Sequence, residues 1–149
     1  MFYASDIDDS TLRVAEKNAE RNHVKVHFFK DDFLHPDVSK YPLVDVIVSN
    51  PPYIPASEIQ FLEKNVADYE PQVALFTNDE DALFHYKAII ELSQHILKPG
   101  GKVFFETHEA YAGQLLEYMS AKGFDNIILK QDLQGKNRMM CASKTLHNP

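Results

Sequence analysis

Asn50-Pro51-Pro52-Tyr53 is the stretch whose residue types and spacing carry chemistry. Two consecutive prolines fix φ at two positions and remove two backbone N–H donors, so the local main chain offers carbonyl oxygens without competing donors. The Asn50 side chain adds one more carbonyl. A site this rich in acceptors suits a planar –NH₂ group that must offer both hydrogens, and Tyr53 is placed to pack flat against that plane. Accepting both hydrogens raises the electron density on the nitrogen and fixes its orientation. The nitrogen of an amide or a nucleobase is a weak nucleophile, so it needs a strong electrophile held close and in line. This scheme requires no histidine or metal. The bare tetrapeptide is also a rigid turn, and its position in the chain argues for more.

That position is the open end of a strand. Leu43 to Ser49 is nearly all apolar, the pattern of a strand covered on both faces. Upstream, Met1 to Ser5 reads as a short strand ending at Asp6. Asp9 or Ser10 is placed to cap a helix over Thr11 to Asn22, with Leu12, Ala15 and Ala19 inward. Val24 to Phe29 is β-branched and aromatic, a strand that ends at Asp31 and Asp32. Asp6, Asp32 and Asn50 thus each fall just past a strand end.

Downstream, a helical turn is expected near Glu58 to Lys64, then a loop through Tyr69-Glu70-Pro71. Asp81 caps a helix with Leu83, Tyr86, Ile90 and Leu97 at helical spacing, and Lys98-Pro99-Gly100-Gly101 closes it as a tight turn. Lys102 to Thr107 is a strand, Ala110 to Lys122 a helix closed by Gly123, and Phe124 to Leu129 a strand. Arg138 to Ser143 returns antiparallel through Gln134-Gly135, and Thr145 to Pro149 is a tail. This alternation predicts an α/β fold, a mostly parallel sheet with an antiparallel C-terminal strand pair. Ligands in such folds bind beyond the carboxyl ends of the strands.

The bulk numbers narrow the partners. The 149 residues suffice for one domain with a core. Fifteen basic against 22 acidic residues give a net charge of −7, which argues against binding through nucleic-acid phosphates. A single cysteine, Cys141, allows no internal disulfide and fits a reducing compartment. No apolar run has the length of a membrane span, and no basic-then-apolar leader opens the chain. A soluble cytoplasmic chain without membrane contact is expected. The seven histidines show no metal-ligand spacing; His23, His27 and His35 fall on different predicted elements.

Several motifs in order resemble the HemK/PrmC protein-(glutamine-N5) methyltransferases, which modify the glutamine of the Gly-Gly-Gln motif in peptide-chain release factors. "ASDIDDSTLRVAEKNAERN" is similar to that family's second strand and following helix, "KDDF" to its next acidic turn, and "VIVSNPPYIP" to its core motif. "DYEPQVAL", Asp68 to Leu75, resembles a Tyr-Glu-Pro element that most methyltransferases lack, and "LKPGGKVFFE" and "DLQGKNRMM" complete the order. The resemblance implies a Rossmann-like methyltransferase fold with S-adenosylmethionine as the strong electrophile. It implies that Asp6 holds the ribose hydroxyls, that Phe33 lies against the adenine with Asp32 nearby, and that Asn50 borders the cofactor. Asn50 and the Pro51 carbonyl would grip the glutamine amide, with Pro52 also among the substrate-binding residues and Tyr53 packing on the substrate. These three, Asn50, Pro51 and Tyr53, are the expected catalytic residues.

Each assignment has an alternative in the residues themselves. Asp6 is also a helix-start residue, Asp31 and Asp32 a solvated acidic turn, and Phe33 ordinary core. Glu70 orders a substrate loop or caps a turn. Glu106, at a strand end, supports the same rim or is surface, and Arg138 is expected to pair with a carboxylate. His108 stands where many relatives carry a small residue.

No Gly-x-Gly-x-Gly run occurs among the five glycines. The expectation is therefore the C-terminal part of a methyltransferase domain over 1–144, lacking the first strand and the glycine-rich motif, with tail 145–149. Compensation would come from direct pairing of the Asp6 and Asn50 strands, or from self-association through exposed sheet edges. Three functions follow: release-factor glutamine methylation as an incomplete catalytic domain, N6-adenine methylation of DNA or RNA, or a catalytically inactive fragment.

Overall fold

β1 (Phe2–Asp6), α1 (Asp9–Arg21) and β2 (Val26–Lys30) form a strand–helix–strand unit within Met1–Tyr41. It is the first of two units in the computed structural model, the second being Pro42–Pro149. Residues 1–55, 57, 71–77 and 81–146 are described. β1 and β2 pair in parallel from Phe2↔Val26 to Asp6↔Lys30.

The helix cap differs from the sequence expectation of Asp9 or Ser10. Asp8 is the N-cap, its Oδ1 accepting from the amides of Ser10 (2.6 Å) and Thr11 (3.0 Å) and from the Ser10 hydroxyl. An N-cap oxygen serves amides two and three residues on, and Asp9 is already helical. These bonds, that from the Ser10 hydroxyl foremost, hold the Asp8 carboxyl below the usual aspartate range.

In the second unit β3 (Val44–Ser49), β6 (Leu97–Glu106), β7 (Phe124–Gln131) and β8 (Asn137–Lys144) form a sheet in the order β3-β6-β8-β7. β3 and β6 are parallel, and β8 runs antiparallel to both neighbours. The C-terminal antiparallel strand is thus present, inserted between its two parallel partners. A separate parallel pair joins β4 (Ile54–Pro55) to β5 (Phe76–Thr77), which follows the short helix α2 (Gln72–Leu75).

Helix α3 (Phe84–Ile96) packs on β6 and on α4 (Ala112–Ala121), and α4 packs on β7 and β8. Together they bury Val103, Phe105, Met140 and Ala142 of the sheet against Ile90, Leu115 and Met119. Tyr86 meets Phe105 edge-on, with ring centroids 5.4 Å apart. The opposite sheet face carries an apolar row across all four strands, paired as Val48↔Phe104↔Cys141↔Ile128.

β3 was expected to be covered on both faces, yet Val46 is 51% and Val48 76% exposed. The reason is that α3 and α4 cover only the face bearing Val103 and Phe105. Direct pairing of the Asp6 and Asn50 strands is not found either. Among the described residues β1 pairs only with β2, its βαβ partner, and β3 only with β6.

The Lys98–Gly101 turn proves to be a bulged start of β6 rather than a separate loop. The register steps from Val44↔Leu97 to Val46↔Lys102, and Gly100 takes φ +75° there. At the other end of the sheet Lys144 is buried. Its Nζ donates to the carbonyls of Gln94 (2.7 Å) and Leu97 (2.9 Å), which closes the C-terminus of α3. Thr145, placed in the tail from sequence, still donates its amide to Gly123 O at 3.2 Å. The helical turn expected at Glu58 to Lys64 lies outside the described residues. No helix among the described residues is long and apolar enough to cross a membrane.

Candidate functional site

β3 stops at Ser49 because the prolines that follow Asn50 have no N–H to continue the ladder. The chain is caught again at once, since Ile54 and Pro55 pair with Phe76 and Thr77. Asn50 to Tyr53 is therefore a short span held at both ends. Asn50, Pro51 and Tyr53 of this span line a cleft together with Ile54, Ala74 and Leu75. The last two belong to α2, whose Ala74 amide bonds back to Pro71 O at 2.9 Å. A loop is expected from the sequence through Tyr69-Glu70-Pro71, and neither α2 nor β5 is marked by any pattern in it. Tyr69 and Glu70 lie outside the described residues, while the chain from Pro71 leads directly to the cleft wall.

Tyr53 is fixed by its hydroxyl, which donates to Glu106 Oε1 at 2.7 Å. Glu106 is in turn held by its main chain: the Tyr86 hydroxyl donates to Glu106 O at 2.8 Å. The supporting role weighed for Glu106 in the sequence is the one the geometry shows. The His108 ring stands edge-on to Tyr53, with centroids 6.0 Å apart. Arg138 pairs with the Asp132 carboxylate (3.5 Å), as expected, and also donates to Thr107 O (3.3 Å). A second bond from α3 was not legible in the sequence: His85 Nδ1 meets Pro52 O at 2.9 Å.

Burial, and next the bond to the Glu106 carboxylate, push the Tyr53 phenol up to about 12. Tyr53 is accordingly a neutral donor at physiological pH and not a base. Burial likewise raises Tyr41 to about 12 and moves Tyr86 further in the same direction. Between pH 10 and 12 the unfolded chain loses these protons while the folded chain keeps them. The folded state then binds more protons, so stability falls as pH rises through this window. Absorbance at 295 nm during an alkaline titration is expected to show a late-ionising class of tyrosines, and Tyr53→Phe is expected to remove one member of it.

Asn50 is exposed, and no hydrogen bond engages its side chain among the described residues; the same holds for the Pro51 carbonyl. Pro51 itself is buried. Asn50 and Pro51 line the cleft beside a ring held by its far end.

The first unit places the remaining candidates. Asp6 stands at the carboxyl end of β1, half-buried, and its Oδ1 accepts from the Asp8 amide at 2.8 Å. Among the described residues its Oδ2 has no partner. Asp31 and Asp32, indistinguishable in the sequence, separate clearly in the structure. Asp31 is buried and accepts from Lys40 (2.8 Å), Tyr41 (3.0 Å) and the Asp37 amide (3.2 Å). Burial opposes its charge, but those bonds outweigh it and hold the carboxyl below the usual range. Asp32 is the outer of the two, accepting from the Leu34 amide (3.0 Å) and facing His35 Nδ1 (3.2 Å). Phe33 beside it is half-buried. Asp31 thus builds the turn, and Asp32 is the more exposed of the two. A carboxylate with a free oxygen at the end of β1 fits a vicinal diol, so these residues suit a nucleoside-bearing cofactor. No cluster of three or more potential metal ligands occurs among the described residues.

Residues 1–59 match the family described as UPF0020, RMKL-like, methyltransferase domain. The chain is 37% identical to the release factor glutamine methyltransferase of Bacteroides thetaiotaomicron, with 95% of this chain and 51% of that protein covered. It is 36% identical to that of Flavobacterium psychrophilum, covering 93% and 48%. The chain thus spans about half the length of these curated relatives. Among solved structures, TrmN from Thermus thermophilus aligns with a TM-score of 0.61 at 22% identity, covering 95% of this chain and 36% of that one. The hMettl16 catalytic domain, in complex with MAT2A 3'UTR hairpin 6, aligns with a TM-score of 0.66 at 18% identity, covering 99% and 56%. SMU.1697c, a putative methyltransferase from Streptococcus mutans in complex with SAH, gives 0.55 at 17% identity, covering 95% and 74%. These likenesses show the fold: a Rossmann-like methyltransferase fold with a mixed, mostly parallel arrangement of strands.

Proposed function

We propose, for a chain related in sequence to the release factor glutamine methyltransferases along nearly its whole length, that it carries the substrate-binding side of S-adenosylmethionine-dependent methylation of a glutamine side-chain amide. The substrate is the glutamine of the Gly-Gly-Gln motif in peptide-chain release factors. The observation that carries this reading is the pair of unengaged oxygens, Asn50 Oδ1 and Pro51 O, in the cleft beside Tyr53.

When bound, S-adenosylmethionine supplies a methyl group on a sulfonium, a strong electrophile for a weakly nucleophilic nitrogen. The chain's own part is binding and orientation. Asn50 Oδ1 and Pro51 O accept the two amide hydrogens, which fixes the plane of the –NH₂ and directs the nitrogen lone pair out of it. Tyr53 covers one face of the amide, its ring held by Glu106. Because its hydroxyl is a neutral donor to that carboxylate, Tyr53 does not take the departing proton, which leaves to solvent. Asp6, through its free Oδ2, and Asp32 hold the ribose side, and Phe33 the adenine.

A second reading rests on the same two acceptors, which would serve the N6 amino group of adenine equally well. The solved hMettl16 catalytic domain was crystallised with an RNA hairpin. The net charge of −7 favours the protein substrate. Methyl transfer from labelled S-adenosylmethionine, assayed in parallel on a release factor and on DNA or RNA, separates the two. Label is expected on the release-factor glutamine; label on nucleic acid alone would establish the second reading, and calorimetry showing no cofactor binding would establish an inactive fragment.

A further inference from the structure

Three carbonyl groups stand close together in Asn50-Pro51-Pro52: the Asn50 side chain and the two proline main-chain oxygens. An incoming –NH₂ has two hydrogens, so which two oxygens remain open decides how it sits. Pro52 O is taken. His85 Nδ1 lies 2.9 Å from it, and a carbonyl oxygen only accepts, so Nδ1 must carry the proton. The Nδ1–H is present in both the corresponding neutral tautomer and the imidazolium, so protonation of the ring preserves the bond. Asn50 and Pro51 line the cleft, whereas Pro52 does not.

His85 also acts beside a second bond from the same turn of α3. Tyr86, the next residue, donates to Glu106 O, and Glu106 holds the Tyr53 hydroxyl. Two consecutive residues of α3 therefore hold Tyr53 from both ends, His85 through the preceding carbonyl and Tyr86 through the residue that anchors the ring. The His85 ring is half-buried and packs edge-on against Phe84, with centroids 5.3 Å apart.

We propose that His85 is a positioning residue of this site: its Nδ1–H ties the Pro52 carbonyl to α3 and so fixes the turn that presents Asn50 and Pro51 to the cleft. The inference rests on the amide-methylation reading for its functional consequence, but the bond itself is testable without it. Long-range ¹H–¹⁵N correlation spectra of the full chain are expected to show a protonated His85 Nδ1. A bare Nδ1 overturns the proposal.

The functional arm uses two variants. His85→Phe keeps a ring and drops the donor, while His85→Asn places an amide N–H near the Nδ1 position. His85→Phe is expected to raise KM for the release factor about tenfold with a smaller change in kcat, and His85→Asn to restore KM to within about threefold. A merely structural role would not give rescue by asparagine. Equal KM values for His85→Phe and the parent overturn the positioning role even with Nδ1 protonated. Should the parent chain transfer no methyl at all, the reading of the function fails, and the Nδ1 proton alone decides whether His85 holds Pro52.

Discussion

Asn50→Ala is expected to lower kcat/KM for methyl transfer by about 100- to 1000-fold, the usual loss when one preorganised partner of a reacting group is removed. In the free protein Asn50 is exposed, and its side chain is unbonded among the described residues. Its removal leaves no buried group unsatisfied, so the melting temperature is expected to stay within a degree or two. The loss then falls wholly on the bound state, where one amide hydrogen loses its acceptor and the plane of the –NH₂ is no longer fixed. Asn50→Asp supplies a sharper comparison. It keeps an acceptor oxygen at the same place, so it should retain more activity than alanine. Steady-state kinetics on a release factor, beside thermal melts of each variant, check both statements; a large drop in stability for Asn50→Ala would contradict the geometry.

Lys144→Met is expected to destabilise the fold by about 2–4 kcal/mol, measured by urea unfolding. Lys144 is the last residue of β8, and its buried Nζ donates to Gln94 O and Leu97 O where α3 ends and β6 begins. The last carbonyls of a helix have no partner within it, and a cation there also meets the negative end of the helix dipole. Methionine matches the length of the lysine stem, so packing is kept while both carbonyls lose their donor. Against this stands the cost of holding the amino group away from water, which methionine avoids. Two bonds outweigh that cost here, because the carbonyls stay buried after the substitution. The result expected is a lower midpoint with an unchanged m-value.

Much of this architecture was legible in the residues. β-branched and aromatic runs gave the strands, and the Leu83, Tyr86, Ile90 spacing gave the buried stripe of α3. Asp31 against Asp32 was not legible, because the difference lies in Lys40 and Tyr41, nine and ten positions away in sequence and adjacent only after folding. The same holds for His85, whose partner lies 33 residues upstream and is a main-chain atom that no side-chain pattern marks. Asp8 was passed over for Asp9 because a run of acidic residues offers several caps, and only the backbone geometry selects one. The apolar run in β3 was read as two-sided cover, whereas composition records only that a face is apolar, not that a helix lies upon it.

The first turn of α3 has a further consequence for motion. Leu83, at the helix N-cap, makes no side-chain capping bond, and the turn is instead gathered by Asp81, which accepts from the Leu83 amide (3.0 Å) and from Lys87 Nζ (2.8 Å). Helix ends open locally far more often than whole domains unfold. His85 and Tyr86 are consecutive in this turn, so any opening that displaced both would cost Tyr53 the hold on its preceding carbonyl and the anchor of its ring at once. The order of the cleft is thereby tied to the closure of one helical turn, which Asp81 gathers through Leu83 and Lys87 without lining the cleft itself.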